Sequence, residues 1–282
     1  AEIAKVDARI DAMRAKYAAD PEFQKHEALL DNGIDLARLT YPEVRTLRCQ
    51  MQYIFQDPYS SLNPRMTVAN IIGEGLLAHK YCKKANERMH EEILQTMEDC
   101  GLAPYFLHRY PHQFSGGQRQ RIGIARSLAV HPKFVVCDEA VSALDVSIQS
   151  QIINLLQDLK EQQHLTYLFI THDLSVVKYI SDRIGVMYLG NLVELADSQE
   201  IFDHPMHPYT EALLESIPTT EEKRDLAVLE GDIPSPVNPP KGCKFHTRCK
   251  YCTEICTHVV PDWEEVTPNH FVACHHKLHT NE

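Results

Sequence analysis

Between residues 51 and 172 short apolar runs keep returning: Gln52-Tyr53-Ile54-Phe55, Phe134-Val135-Val136-Cys137 and Tyr167-Leu168-Phe169-Ile170. Helical periodicity fills the intervals, as in Ile148, Ile152, Leu155, Leu156 and Leu159. Short apolar strands separated by helices predict an α/β fold built on a largely parallel sheet. A further run at residues 184–190 reads as one more strand entering a turn.

With 282 residues the chain can bury one substantial core and a smaller appendage. Its 39 acidic against 28 basic residues leave a net charge of −11, which argues against a broad basic face and hence against a nucleic-acid partner. No stretch approaches the roughly 18 to 20 uninterrupted apolar residues of a membrane-spanning helix, and no signal-type apolar block opens the chain. The expectation is a soluble, cytoplasmic protein. Ile3, Val6, Ile10, Met13 and Tyr17 form the seam of an amphipathic helix that Asp20-Pro21 ends. Prolines from Pro234 to Pro240, just after Ile233, exclude helix and central strand and predict a linker before a small cysteine-rich module.

Three motifs carry chemistry. Phe114-Ser115-Gly116-Gly117-Gln118-Arg119-Gln120-Arg121 sets a serine N-cap and two glycines at the start of a helix, leaving backbone N–H groups open to a phosphate. Lys133-Phe134-Val135-Val136-Cys137-Asp138-Glu139 is an apolar strand that ends in two carboxylates. Asp138 can hold Mg²⁺, which takes oxygen ligands, and Glu139, pointing elsewhere, can polarise a water. Phe169-Ile170-Thr171-His172-Asp173 ends the next strand with a histidine.

The octet at residues 114–121 resembles the signature motif of the ABC ATPases. Residues 133–139 then resemble their Walker B strand and Ser142-Ala143-Leu144-Asp145 their D-loop, with Ala140 standing where the family usually has proline. His172 matches the histidine that contacts the γ-phosphate. Ile54-Phe55-Gln56-Asp57-Pro58 resembles the Q-loop, and its continuation to Val68 resembles the peptide and nickel importer branch.

The resemblance implies a P-loop NTPase-type fold with ATP and Mg²⁺ as cofactors. It places Glu139 and His172 on the attacking water, Asp138 and Gln56 at Mg²⁺, and Gln56, Ser115, Gly116, Gly117, Gln118 and Asp145 at the nucleotide. It also implies a homologous ATPase partner, two transmembrane permease subunits, an indirect link to a peptide-binding protein outside, and a peripheral place on the cytoplasmic membrane face. The expected division is an N-terminal helical remnant at 1–50, the Q-loop region at 51–67, a helical subdomain at 68–112, the ATPase core at 113–200 and a linker with a cysteine-rich extension at 201–282. No Gly-x-x-x-x-Gly-Lys-Ser/Thr loop occurs among the 11 glycines, from which an N-terminal truncation and weak ATP binding by the lone chain are expected.

Of nine cysteines, Cys243, Cys249, Cys252, Cys256 and Cys274 crowd one segment, a clustering that favours metal ligation over disulfides in a chain without an export signal. By resemblance to the peptide-importer extension, Cys243, Cys249, Cys256 and Cys274 are expected to hold a [4Fe–4S] cluster. Structural zinc and free thiols stand as alternatives. The function implied is ATP hydrolysis coupled to peptide import. Two rival readings are a non-transport ABC ATPase and a non-catalytic subunit that donates its signature surface to a partner.

Overall fold

The computed structural model describes residues 2–28, 33, 35–82, 86–217, 231–232 and 234–279. Ala1 and Ile233, where the expected N-terminal helix and the linker begin, lie outside the described residues. Contacts divide the chain into two units, residues 1–47 and 48–282.

The first unit is helical: α1 (Glu2–Tyr17), α2 (Pro21–Ala28) and α3 (Tyr41–Leu47). Asp20 separates α1 from α2 by accepting the Glu22 N–H at 2.9 Å, an N-cap that suits Pro21 at the first helical position. The predicted seam forms a helix, yet Ile10, Met13 and Tyr17 are all exposed.

In the second unit the three predicted strands are β1 (Met51–Ile54), β2 (Phe134–Asp138) and β3 (Thr166–Ile170). They pair in the order β1-β2-β3, all parallel, with Tyr53 opposite Val136 and Cys137 opposite Phe169. Helices α4 (Val68–Ala78), α5 (Glu87–Asp99), α6 (Gly116–Leu128), α7 (Val146–Gln163) and α8 (Leu174–Ile180) supply the rest of this layer. Its core joins Ile54, Val135 and Cys137 of the sheet to Ile71, Ile72, Met97, Ile122, Ile152 and Leu156 of the helices. Side-chain caps fix the helix starts: Thr67 for α4, Asn86 for α5, Ser115 for α6, Asp145 for α7 and Asp173 for α8.

A second sheet follows, in the order β4-β5-β7-β6 and antiparallel throughout: β4 (Arg183–Tyr188), β5 (Asn191–Asp197), β6 (Glu264–Thr267) and β7 (His270–Val272). Helices α9 (Ser198–Asp203) and α10 (Pro208–Glu215) come between β5 and the cysteine segment, which adds α11 (Glu254–His258). The segment is thus tied into a sheet by β7, whose Phe271 and Val272 lie opposite Leu195 and Glu194. Phe245 from this segment is 2% exposed and packs edge-on to Tyr188 of β4 at 5.2 Å, so one core serves both. Among the described residues no helix is long and apolar enough to cross a membrane.

Candidate functional site

Parallel strands all deliver their carboxyl ends to the same sheet edge, and open α/β sheets bind ligands there. Here that edge collects Gln56 from the turn after β1, Asp138 and Glu139 from the end of β2, and His172 from the turn after β3. Glu139 links two of the others. Its Oε2 accepts a hydrogen bond from Gln56 Nε2 at 2.5 Å, and its Oε1 lies 3.2 Å from His172 Nδ1. Both carboxylate oxygens are therefore engaged and the side chain is held from two sides.

The backbone contributes to this placement. Glu139 has φ of +43°, a left-handed conformation that an L-residue adopts at a cost of order 1–3 kcal/mol. Its N–H donates to Ile170 O at 2.9 Å, while Ser142 donates to its carbonyl from both N and Oγ, at 3.1 and 3.0 Å. The chain is held in this turn at both peptide groups, and the turn breaks the strand alternation just where the carboxylate must face the edge.

Asp138 is bonded differently. Tyr53, on the neighbouring strand, donates its hydroxyl to Asp138 Oδ2. That bond, with burial and the carboxylate charge, raises the phenol pKa. Sequence reasoning passed over Tyr53, whose only signal is a polar tip within an apolar strand. Of Gln56 and Asp138, expected to share Mg²⁺, Gln56 turns an amide N–H to Glu139 and Asp138 accepts from Tyr53.

The signature residues form a separate feature. Ser115 Oγ accepts the Gln118 N–H at 3.4 Å, and Gln118 Oε1 accepts the Ser115 N–H at 3.1 Å, a reciprocal capping box at the start of α6. A Cβ on Gly117 would stand 2.4 Å from Cγ2 of Ile148, and one on Gly116 would meet Leu144 Cδ2 at 3.5 Å. Gly117 thus lets α6 approach the first turn of α7, while the contact at Gly116 is an ordinary one. Asp145 accepts the Ile148 N–H at 3.0 Å and so caps α7. Gly117→Ala is expected to destabilise the chain by about 1–3 kcal/mol through this clash. Urea unfolding of that variant, and of Gly117→Ala/Ile148→Ala with recovered stability, checks it.

Residues 19–142 match the ABC transporter family, and residues 193–256 match the oligopeptide/dipeptide transporter C-terminal region. The oligopeptide transport ATP-binding protein AppF of Bacillus subtilis is 52% identical over 253 residues, spanning 88% of this chain and 76% of AppF. The chain belongs to the oligopeptide transport ATP-binding proteins of the ABC family. OppF of Haemophilus influenzae, another oligopeptide transport ATP-binding protein, is 47% identical over 246 residues, 86% of this chain and 74% of its own. Among solved structures, the ATP-binding cassette MJ0796 in a dimeric post-hydrolysis state with ADP and Pi superposes with a TM-score of 0.53 at 27% identity, over 60% of this chain and 72% of that one. The fold is that of an ABC ATPase, and the chain is an enzyme of that class.

In the C-terminal segment, Cys243, Cys249, Cys256 and Cys274 all line one cavity, together with His207, Phe245 and His246. Cys252 is exposed and stands outside the lining, its thiol donating to Thr253 O at 3.6 Å. Cys243 is tied to Cys256 by its N–H, which donates to Cys256 O at 2.8 Å. Gly242, at φ of +67°, permits this approach: a Cβ there would lie 2.4 Å from the same carbonyl.

Backbone N–H groups meet three of the four thiols, Phe245 and His246 at Cys243, Tyr251 at Cys249 and His276 at Cys274. Burial, the largest influence, still pushes Cys249 up to about 11 and Cys274 up to about 12. Among the described residues no group of three or more His, Cys, Asp or Glu side chains is arranged to hold a single metal ion.

Proposed function

We propose that this ATPase drives import of oligopeptides through a membrane transporter. It pairs with a homologous ATPase subunit and sits on two permease subunits at the cytoplasmic membrane face, while a peptide-binding protein delivers cargo from the other side. The observation that carries the catalytic half is the Gln56–Glu139–His172 group at the carboxyl edge of the parallel sheet. The peptide cargo follows from the names of AppF and OppF.

Glu139 is the general base: with its carboxylate ionised, an oxygen can take a proton from water attacking the γ-phosphate. His172 and Gln56 orient that carboxylate from opposite sides, and His172 reaches toward the γ-phosphate. Asp138 and Gln56 offer oxygen donors that suit Mg²⁺, which when bound offsets the charge on the phosphate oxygens. Tyr53 occupies one oxygen of Asp138. Gly116 and Gly117 offer backbone N–H groups at the N-terminus of α6 to a nucleotide across the dimer, with the side chains of Ser115 and Gln118 flanking them and Asp145 beside them. Reconstitution with the permease pair in vesicles tests the whole: labelled oligopeptide should accumulate with ATP and not with a non-hydrolysable analogue. Equal accumulation with both would overturn it.

The cysteine cavity is proposed to house a [4Fe–4S] cluster on Cys243, Cys249, Cys256 and Cys274. Three features support this reading: the four soft donors, the backbone N–H groups at sulfur, and the glycine that lets two cysteine segments touch. Structural zinc also accepts four thiolates, at about 2.3 Å from the ion, and metal analysis separates the two. Anaerobic purification should yield about four iron and four sulfide per chain; stoichiometric zinc or metal-free protein would overturn the assignment.

A further inference from the structure

The catalytic site makes no use of His207, a residue 1% exposed at the start of α10. Its Nδ1 accepts the Tyr209 N–H at 3.0 Å and so caps the helix. A ring nitrogen that accepts cannot also carry a proton, so the proton of this imidazole sits on Nε2. That Nε2–H has no hydrogen-bond partner. A buried donor left unmade is costly, and such groups call for an explanation.

The explanation lies in what surrounds the ring. His207 lines the same cavity as Cys243, Cys249, Cys256 and Cys274, and Phe245 backs it at a centroid distance of 5.9 Å. The position is fixed from the backbone side as well: the His207 N–H donates to the buried Glu194 at 3.1 Å, as does that of Met206 at 2.6 Å. The ring is thus locked beside the four thiols, with its one N–H donor unpartnered.

We infer that His207 donates an Nε2–H···S hydrogen bond to the iron–sulfur group held by the four cysteines, and so sets its reduction potential. The inference rests on the cluster assignment above. His207 is a positioning residue outside the ligand set, and the physical effect has a definite sign. A donor to sulfur stabilises the more negative, reduced state, so it raises the potential, and its loss lowers it.

Two variants separate this role from helix capping. His207→Asn keeps a side-chain acceptor for the Tyr209 N–H but does not project a donor as far, and His207→Phe keeps the ring volume with neither group. Full-length wild type and both variants are purified anaerobically, their iron and sulfide quantified, and the midpoint potential followed by visible absorbance under potentiometric control. The expected result is wild-type iron and sulfide with a potential shifted downward in both variants. An unchanged midpoint in His207→Asn overturns the inference and leaves His207 as a cap. Iron loss from His207→Asn overturns it too, because a donor outside the ligands is not needed for assembly. Wild type without iron and sulfide instead removes the cluster assignment, and the inference falls with it.

Discussion

Glu139→Gln, placed in the chain assembled with its partner ATPase and permeases, is expected to cut ATP hydrolysis by on the order of 10²- to 10⁴-fold while ATP still binds. The exchange keeps the shape of the side chain and an oxygen for Gln56 to meet, and removes only the negative oxygen that takes the proton from water. Phosphate release checks the rate, and a filter-binding assay with labelled ATP checks retention of the nucleotide. Hydrolysis within twofold of wild type would remove Glu139 from the catalytic role. Gln56→Ala should fall between the two, since losing one of two holders misplaces the base without deleting it.

The largest effect on stability is expected at Glu194. This side chain is 0% exposed in β5, yet its two oxygens accept from Met206 N, His207 N and His270 Nε2, the last at 2.8 Å. Glu194→Ala strips three buried donors of their acceptor at once, and each buried donor left unmade costs about 1–3 kcal/mol. Trp263 stacks on Phe271 of β7 at 6.0 Å and is the single tryptophan, so its fluorescence reports on this sheet during denaturant unfolding. A midpoint equal to that of wild type would show that the bonds at Glu194 are dispensable.

The parallel half of the molecule was readable because its signals are local. An apolar run such as Phe134-Val135-Val136-Cys137 and a capping serine such as Ser115 each specify structure within a few residues, and motif order then placed Gln56, Glu139 and His172 at successive strand ends. In the antiparallel half only β4 was legible, from the run at residues 184–190; the rest was opaque for the opposite reason. Strands β6 and β7 are short and carry glutamates, threonine and histidine, so nothing in Glu264–Thr267 or His270–Val272 announces a sheet until β5 is beside them. Glu194 and His207 failed to register for a related reason: a polar residue reads as surface unless the partner that permits its burial is known. Tyr53 and the separation of Cys252 from the other four cysteines are also matters of tertiary contact, which spacing alone does not encode.

The pairing of Glu194 with His270 also has a consequence in time. The two residues are 76 apart along the chain, and at ribosomal rates of about 5 to 20 residues per second the acid waits roughly 4 to 15 s for its histidine. Throughout that interval β5 has an open edge and an acceptor that cannot yet be buried, so the antiparallel half can close only after the parallel half has had the opportunity to fold. A nascent chain stalled between these two positions would present a finished catalytic edge beside an unfinished sheet, the species on which a chaperone would act.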